Sequence, residues 1–154
     1  MEIYKNQLVV ITGASGFVGS NLTRKLVDLG ANVRILSRKT SNPKFLKEFK
    51  DKGVEVFYGD VTNRDSVFEA IEGAAYVFHI AALFREAKYP DSVYFDVNLE
   101  GTRNVLDACE KHGVKRMLHC STIGVHSDIK NIPADETEPY SPTDIYQDLS
   151  LIHI

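Results

Sequence analysis

Three glycines recur at intervals of three residues in the stretch TGASGFVGSNL, which runs from Thr12 to Leu22. It follows an apolar run and opens a helical pattern, and the start of a helix attracts phosphate groups wherever the backbone can approach them closely. A Cβ at the first two glycines would obstruct the turn or the ligand, and the third allows close packing of helix on strand. A dinucleotide pyrophosphate site is therefore predicted at Gly13, Ser15, Gly16, Phe17, Val18 and Gly19. An ordinary structural turn is the alternative, since the spacing differs from the G-x-G-x-x-G fingerprint.

The elements that must position this turn alternate along the chain. Strands are predicted where short apolar runs occur, at Leu8–Ala14, Val33–Ser37, Val54–Asp60, Ala75–Ala82 and Lys115–Thr122. Helices are predicted between the strands, and the last is one long helix that contains Val93 to Cys109 and stops at Gly113. This order predicts an α/β fold, a doubly wound parallel sheet with helices on both faces.

The composition narrows the classes of partner. Of the 154 residues, 44% are hydrophobic and 25% are charged, with a net charge of −3, which suits one globular domain. No basic block and no run of 18 apolar residues occurs, so we expect no nucleic-acid partner and no membrane partner. No signal-peptide pattern is present, and the two cysteines, Cys109 and Cys120, are expected to be reduced thiols. A cytoplasmic location follows as the expectation.

Five motifs resemble those of a known family. They are TGASGFVG, GDVTN (Gly59–Asn63), HIAA (His79–Ala82), DVNLEGTRNVLDAC (Asp96–Cys109) and STIGV (Ser121–Val125). In this order they resemble the extended short-chain dehydrogenase/reductases, also called NAD-dependent epimerase/dehydratases, from about Leu8 to Gln147. The resemblance implies a Rossmann sheet, a nicotinamide dinucleotide cofactor and a small-molecule substrate. It implies no metal.

The residues after the second predicted strand bear on the choice of cofactor. A ribose-binding acid is expected about 20 residues past the glycines, but Ser37 stands there, followed by Arg38 and Lys39. An acid would repel a 2′-phosphate, whereas an arginine can bind one through two hydrogen bonds. The sequence therefore favours NADP over NAD. The alternative is that Arg38 and Lys39 are solvated loop charges.

The resemblance also assigns the rest of the cofactor site. It places Asp60 and Val61 close to the adenine, and Ala81 and Ala82 along the path toward the nicotinamide. His79 also matches the family, but a lone histidine among apolar residues is more often a hydrogen-bonded core residue, so we expect no catalytic role for it. Asn98 has two open interpretations: support of the active-site geometry, as in the family, or a buried structural hydrogen bond.

Two residues are candidates for proton chemistry by the same resemblance. The family transfers a hydride between a substrate carbinol carbon and the nicotinamide, while a tyrosine moves the hydroxyl proton and a serine or threonine orients the oxygen. Tyr146 matches the tyrosine, and Thr122 matches the orienting residue. Ser121 is assigned to the cofactor instead. The alternative for Tyr146 is an ordinary half-buried aromatic residue.

The family's lysine, four residues after the tyrosine, is missing. Ser150 stands there, and no lysine or arginine occurs from Asn131 to the end. A free tyrosine has a pKa of about 10, so only about 0.1% is phenolate at pH 7. A positive charge about 4 Å away can lower such a pKa to roughly 7. Without that charge we expect most of the active base to be lost.

The length of the chain leads to a further expectation. Chains of this family are usually much longer. We expect residues 1–147 to form the dinucleotide-binding Rossmann domain, truncated after about the fifth strand, and residues 148–154 to be an atypical tail. The substrate domain is expected to be absent. An unfinished sheet leaves an open edge and uncovered apolar surface, so we expect the chain to self-associate.

Three functions remain open at this stage. The first is the cofactor domain of an NAD(P)-dependent reductase that resembles dihydroflavonol reductases or hydroxysteroid dehydrogenases. On this hypothesis we expect the chain to be inactive alone. The second is the corresponding part of an NAD-dependent nucleotide-sugar epimerase or dehydratase. The third is a module that binds a dinucleotide and catalyses nothing.

Overall fold

The computed structural model describes residues 2–84, 86, 88–126, 129 and 132–151. Within these residues, five strands form one sheet: β1 (Leu8–Thr12), β2 (Asn32–Ser37), β3 (Glu55–Tyr58), β4 (Tyr76–His79) and β5 (Arg116–His119). All neighbouring strands are parallel, in the order β3-β2-β1-β4-β5. The predicted doubly wound parallel sheet is confirmed. The second strand ends at Ser37 as predicted, and the other four end two or three residues earlier than the apolar runs suggest.

The first strand lies at the point where the strand order reverses. It pairs with β2 on one side and with β4 on the other, so that Thr12 lies opposite both Leu36 and His79. In open α/β sheets, ligands bind outside the carboxyl ends of the strands at this switch point. The carboxyl ends of β1, β2 and β4 therefore frame the candidate site.

Helices cover both faces of the sheet. They are α1 (Phe17–Asp28), α2 (Pro43–Asp51), α3 (Arg64–Ile71), α4 (Asp91–Tyr94), α5 (Gly101–Lys111) and α6 (Ile145–Ser150). Successive side chains of a strand point to opposite faces. Val9 and Ile11 accordingly pack in one core with Leu26 of α1, and Val10 packs in the other with Val105 of α5. Among the described residues, no helix combines the length and apolar character needed to cross a bilayer.

The long helix predicted after β4 is interrupted. A π-helical turn, Phe95–Glu100, separates α4 from α5. Such turns are rare and occur mostly at functional sites. Asn98, within this turn, is buried, and its side chain is hydrogen-bonded to the backbone of another segment. The prediction of one regular helix is wrong here, since apolar periodicity carries no signal for a turn widened around a polar contact.

An ion pair joins α1 to α2. Arg24 donates from Nε and Nη2 to the two carboxylate oxygens of Glu48, at 2.7 and 2.8 Å. Its guanidinium also lies 5.8 Å from the centre of the Phe45 ring. The paired hydrogen bonds from Arg24 lower the pKa of the Glu48 carboxyl to about 2. The two helices are thereby fixed side by side on one face of the sheet.

Candidate functional site

Two glycines of the turn between β1 and α1 are required by the fold. Gly13 has a φ of +74°, which side-chain-bearing residues rarely adopt, and a Cβ there would lie 2.7 Å from the backbone nitrogen of Ala81. A Cβ on Gly19 would collide with the Gly13 carbonyl group, approaching its carbon to 2.8 Å. The first glycine thus permits the turn, and the other lets α1 pack closely against it, as the sequence predicted.

Gly16 is different because the fold does not need a glycine there. Its φ of −81° and ψ of 175° are open to any residue. The nearest protein atom to an added Cβ would be the Gly13 carbonyl oxygen, at an ordinary 3.4 Å. Gly16 is the exposed N-cap of α1, and no side chain caps this helix. The space that a side chain would fill is therefore open at a helix start, where an anion fits.

A cleft of about 850 Å³ opens at the carboxyl ends of β1, β2 and β4. This volume lies in the usual range for ligand pockets, about 300–1,000 Å³. Every predicted cofactor-binding residue except Ser121 lines it, namely Gly13, Ser15, Gly16, Phe17, Val18, Gly19, Ser37, Arg38, Asp60, Val61, Ala81 and Ala82. Residues from four separate stretches of the sequence thus meet in one cavity.

The end of β2 closes one side of the cleft. Ser37 is buried, with its hydroxyl 3.4 Å from the Arg38 carbonyl oxygen. Arg38 is exposed and lines both the cleft and an adjoining depression of about 440 Å³ that Lys39 and Asp60 also line. None of the ion pairs between described residues involves Arg38. Its guanidinium is available to an anionic ligand.

The turn after β3 is held from both ends. Asp60 Oδ1 accepts from the backbone N–H and the hydroxyl of Thr62, each at 3.0 Å. The Ser66 hydroxyl of α3 accepts the Asp60 N–H at 3.3 Å and lies 3.0 Å from the Asp60 carbonyl oxygen. The Val61 carbonyl accepts from Asn104 of α5 at 2.9 Å. The predicted adenine contacts are therefore set on a rigid backbone.

His79 lies in a chain of buried hydrogen bonds. The Ala81 N–H donates to Thr12 Oγ1 at 3.2 Å, and that oxygen lies 2.7 Å from His79 Nδ1. On the other side, Nε2 lies 3.1 Å from Thr102 Oγ1, whose hydroxyl donates to the Asn98 carbonyl at 2.7 Å. This order of donors places the ring hydrogen on Nε2 and makes Nδ1 an acceptor. His79 is fully buried, as predicted for a core residue, and it ties β4 to β1 and to α5.

Asn98 clamps the backbone of the segment that follows β4. Its Oδ1 accepts the Leu83 N–H at 2.8 Å, and its Nδ2 donates to the Leu83 carbonyl at 2.9 Å. Of the two interpretations left open by the sequence, the structure shows the buried hydrogen bonds. These bonds also fix the chain just past Ala81 and Ala82, so the same contacts shape the wall of the cleft.

Neither predicted catalytic residue lines the cleft, and Tyr146 borders it through Phe84. The ring of Tyr146, in the first turn of α6, packs edge-on against Phe84 of the cleft, with centroids 4.9 Å apart. Thr122 Oγ1 accepts the Gly124 N–H at 3.1 Å. A Cβ on Gly124 would lie 3.2 Å from Thr122 Oγ1 and 3.5 Å from Nε2 of Gln147, the residue after Tyr146. The chain past β5 and the start of α6 are thereby neighbours.

Ser150 cannot supply the charge that the family places at this position. It is buried, and its hydroxyl donates to the Tyr146 carbonyl at 2.8 Å, a bond back to the preceding helical turn. The nearby charged residues of this segment are acids, among them Asp144 at the N-cap of α6 and Asp148 in its first turn. No cation from residues 132–151 stands beside the tyrosine.

The two thiols differ in their surroundings. Cys109 lies in the core under α5, and burial raises the pKa of its thiol to about 11. Cys120 is exposed just past β5. Cys109 therefore stays protonated at neutral pH and is no nucleophile.

The amino-acid motifs do not predict the far wall of the cleft. It includes Leu83, Phe84, Glu86 and Tyr89, which follow β4 in an irregular segment. No motif marks these residues. The topology could have found them, since the chain leaving β4 must lie next to the turn leaving β1 when the two strands are paired and parallel.

Comparison with known proteins agrees with this arrangement. Residues 10–150 match the model of the 3-beta hydroxysteroid dehydrogenase/isomerase family. A 3 beta-hydroxysteroid dehydrogenase/Delta 5→4-isomerase of Mycobacterium tuberculosis is 37% identical over 148 residues, covering 92% of this chain and 38% of that protein. An N-acetyl-alpha-D-glucosaminyl-diphospho-ditrans,octacis-undecaprenol 4-epimerase of Escherichia coli O157:H7 is 36% identical over 141 residues, covering 92% and 40%.

A solved structure shows the same fold with a ligand. A short-chain dehydrogenase/reductase superfamily protein from Agrobacterium tumefaciens, crystallised with bound NAD, superposes with a TM-score of 0.81 at 28% identity. The match covers 94% of this chain and 42% of that one. This chain spans about two fifths of the length of the proteins it resembles.

Proposed function

The chain belongs to the 3-beta hydroxysteroid dehydrogenase/isomerase family, as its short-chain dehydrogenase/reductase motifs predicted, and on that premise we propose that it is the cofactor-binding part of an NAD(P)-dependent oxidoreductase. The substrate is a small molecule with a hydroxyl or carbonyl group. The observation that supports this most directly is Gly16, a glycine that the fold does not require, at an uncapped helix start facing an 850 Å³ cleft.

Each part of the cleft binds a different group of the dinucleotide in this proposal. The start of α1 holds the pyrophosphate, with Ser15, Phe17 and Val18 around it. Arg38 and Asp60 hold the adenosine half, and the small side chains of Ala81 and Ala82 leave room for the nicotinamide half. When bound, the dinucleotide accepts or supplies a hydride. The chain's own residues bind and orient it.

Titration of the purified chain with NADPH and NADH tests this function. Nicotinamide fluorescence rises when the reduced ring leaves water, so binding is measured directly for each cofactor. We expect saturable binding of at least one of the two. If neither binds at millimolar concentration, the proposed function is wrong.

We further propose that the site prefers NADP. Arg38 is exposed at the depression beside Asp60, and no acid of the described residues pairs with it, so it can bind a 2′-phosphate. Arg38→Ala should weaken NADPH binding by about tenfold or more and NADH binding by less than about twofold. Lys25→Ala, which removes an exposed charge in the last turn of α1, away from the depression, is the matched control. Equal losses for both cofactors would mean that Arg38 is only a loop charge.

We propose, from the family resemblance, that Tyr146 transfers the proton. In this proposal Thr122 orients the substrate oxygen and Ser121 contacts the cofactor. Because Ser150 is bonded to the backbone and brings no charge, we propose that this chain binds the cofactor without turning over a substrate. The test follows NAD(P)H absorbance with secondary alcohols, sterols and sugar nucleotides. Robust turnover by the 154-residue chain would contradict the proposal.

Two alternatives each have an observation in their favour. The Escherichia coli 4-epimerase resembles this chain as closely as the steroid dehydrogenase does, which favours an epimerase of a nucleotide-activated or lipid-linked sugar. The backbone-bonded Ser150 favours a dinucleotide-binding module without catalysis. Cofactor binding without turnover is expected from the module and from the first proposal alike, whereas turnover by the wild-type chain that is lost in Tyr146→Phe would exclude the module.

The exposed edge of the sheet supports a proposal of self-association in a cytoplasmic protein. Leu118 on β5 is 48% exposed and Leu106 on α5 is 53% exposed. Residues 1–147 form the dinucleotide-binding domain in this proposal, and the edge strand and its apolar neighbours form the contact. Light scattering should show a mass above 17.3 kDa that falls in Leu118→Lys. A monomer at all concentrations contradicts it.

A further inference from the structure

Tyr94, at the end of α4, makes an unusual pair of hydrogen bonds. The residue is buried, and its hydroxyl accepts the Glu86 N–H at 2.7 Å while lying 3.2 Å from the Glu86 carbonyl oxygen as donor. Asn98 makes the same two-way contact with the backbone of Leu83. Both backbone groups of two residues in an irregular segment are therefore satisfied by side chains.

The two contacts act together on the far wall of the cleft, defined as Leu83, Phe84, Glu86 and Tyr89. Tyr94 and Asn98 are four residues apart at the π-helical turn, and the residues that they hold are three apart. The Tyr89 N–H donates to the same Glu86 carbonyl at 3.1 Å, which links the next turn to the contact. An irregular wall is thereby pinned at two points to a buried helical segment.

The far wall continues directly from the small residues at the end of β4. Ala81 and Ala82 line the cleft just before it, and Phe84 lies between the cleft and the Tyr146 ring. A change in the position of Glu86 would therefore alter the cleft at this end and leave the Arg38 end, beyond the glycine turn, unchanged. The tyrosine hydroxyl is the one polar group of a side chain in this part of the described structure that reaches the Glu86 backbone.

We propose that Tyr94 is a positioning residue for the nicotinamide end of the cleft. Its hydroxyl holds Glu86, and through Glu86 it holds the turn to Tyr89. The far wall is thereby kept in a single conformation against which the nicotinamide ring can bind. The inference rests on the proposed function, because it needs a dinucleotide with its nicotinamide at this end. The sequence motifs assign no role to Tyr94.

Tyr94→Phe tests the inference, because it removes the hydroxyl and keeps the ring in the core. The ligands are NADH and ADP-ribose, which lacks only the nicotinamide. We expect affinity for NADH to fall by about tenfold and affinity for ADP-ribose to change by less than about twofold, with loss of the nicotinamide fluorescence enhancement. An unchanged NADH affinity, or an equal loss for both ligands, would overturn the inference. Failure of the wild-type chain to bind either ligand would instead refute the proposed function.

A control variant and a second measurement guard against an effect on folding. Tyr76→Phe removes a hydroxyl from the opposite end of β4 and should leave both affinities unchanged. Hydrogen exchange of the wild-type chain gives an answer without any variant. The amides of Leu83 and Glu86 should be protected although they lie outside the sheet, and exchange at the rate of an open loop would contradict the inference.

Discussion

Helix α1 begins at the cleft and α3 begins at the adjoining depression, but their first turns are built in opposite ways. At α3, Asn63 Oδ1 accepts the Ser66 N–H at 2.9 Å, and Asp65 places a negative charge in the first turn. At α1, the N-cap is Gly16, no side chain caps the helix, and the first turn has no acid. A side-chain cap is typically worth about 1 kcal/mol. The start of α1 therefore lacks a stabilising contact that the start of α3 has.

The difference indicates that the starts of the two helices have different roles. The first turn of α3 forms its hydrogen bonds within the protein, and the Ser66 hydroxyl of this turn also binds the backbone at Asp60. The bare end of α1 has donors and space for a ligand, and this helix is held along its side instead, by the close approach at Gly19 and by the pair of Arg24 with Glu48. Stability and binding are thus separable within one helix.

Gly13→Ala should give the largest change, and it addresses the structural part of the α1 start. The substitution combines a φ of +74° with a Cβ 2.7 Å from the Ala81 nitrogen. We expect a loss of about 2–5 kcal/mol in the free energy of unfolding, measured by urea denaturation. Gly53→Ala is the matched control, because Gly53 has a φ of +77° but no atom within 4 Å of an added Cβ. Equal losses in the two variants would show that the packing against Ala81 contributes nothing.

Gly16→Asp addresses the ligand-binding part of the same start. Aspartate is a favoured N-cap and its charge suits the helix dipole, so stability should stay the same or rise by up to about 1 kcal/mol. Its charge and bulk at the phosphate position should weaken NADPH and NADH binding by about 100-fold. Calorimetry measures the affinity, and urea denaturation measures the stability.

A neutral variant separates charge from bulk at this position. Gly16→Asn has the same shape and also caps helices well. It should weaken binding less than Gly16→Asp does and leave stability close to that of the aspartate variant. If Gly16→Asp binds either cofactor normally, the start of α1 is not the anion site and the contrast with α3 has no functional meaning.

Asn63→Ala examines the capped helix of the comparison. Removing the acceptor for the Ser66 N–H should cost about 1 kcal/mol of unfolding free energy. The matched control is Asn42→Ala, which removes the corresponding cap of α2, where the side chain accepts the Lys44 N–H at 3.0 Å. Because Asn63 lines the depression beside Arg38 and Asn42 does not line it, only Asn63→Ala should also weaken ADP-ribose binding. A fully stable Asn63→Ala would show that the cap at α3 is dispensable.

Sequence patterns predicted the parts of the fold in which a residue type serves a single physical purpose. The apolar runs located all five strands of the described sheet, and the glycine spacing located the turn at its switch point. The glycine spacing could not show that Gly13 is required by the fold and Gly16 is not. Both belong to the same turn, and only their backbone angles and neighbouring atoms distinguish them.

The predicted topology places the chain after β4 beside the cleft, but the contacts that hold this far wall lay beyond what the sequence could predict. The role of Tyr94 depends on a hydroxyl meeting a backbone 8 residues away through an irregular loop. The π-helical turn contains Asn98, whose side chain bonds the Leu83 backbone, and hydrophobic periodicity does not register such a contact. Thr122 and Tyr146 were proposed from a resemblance alone, and their roles stay predictions.

The smallest effect concerns the side contact that holds α1 in place of a cap. The hydrogen bonds from Arg24 lower the pKa of Glu48 from an ordinary value of 4.5 to about 2 in the folded chain, so the unfolded chain takes up this proton first as the pH falls. The stabilisation is therefore complete above about pH 4.5 and is lost as the pH falls towards 2. In Glu48→Gln the group cannot titrate, so the urea midpoint of this variant should fall less steeply over that range than that of the wild type. Asn42→Ala, which removes a helix cap but no titratable group, should keep the wild-type slope. If the slope of Glu48→Gln equals that of the wild type, the ion pair does not hold α1, and the packing at Gly19 must do so alone.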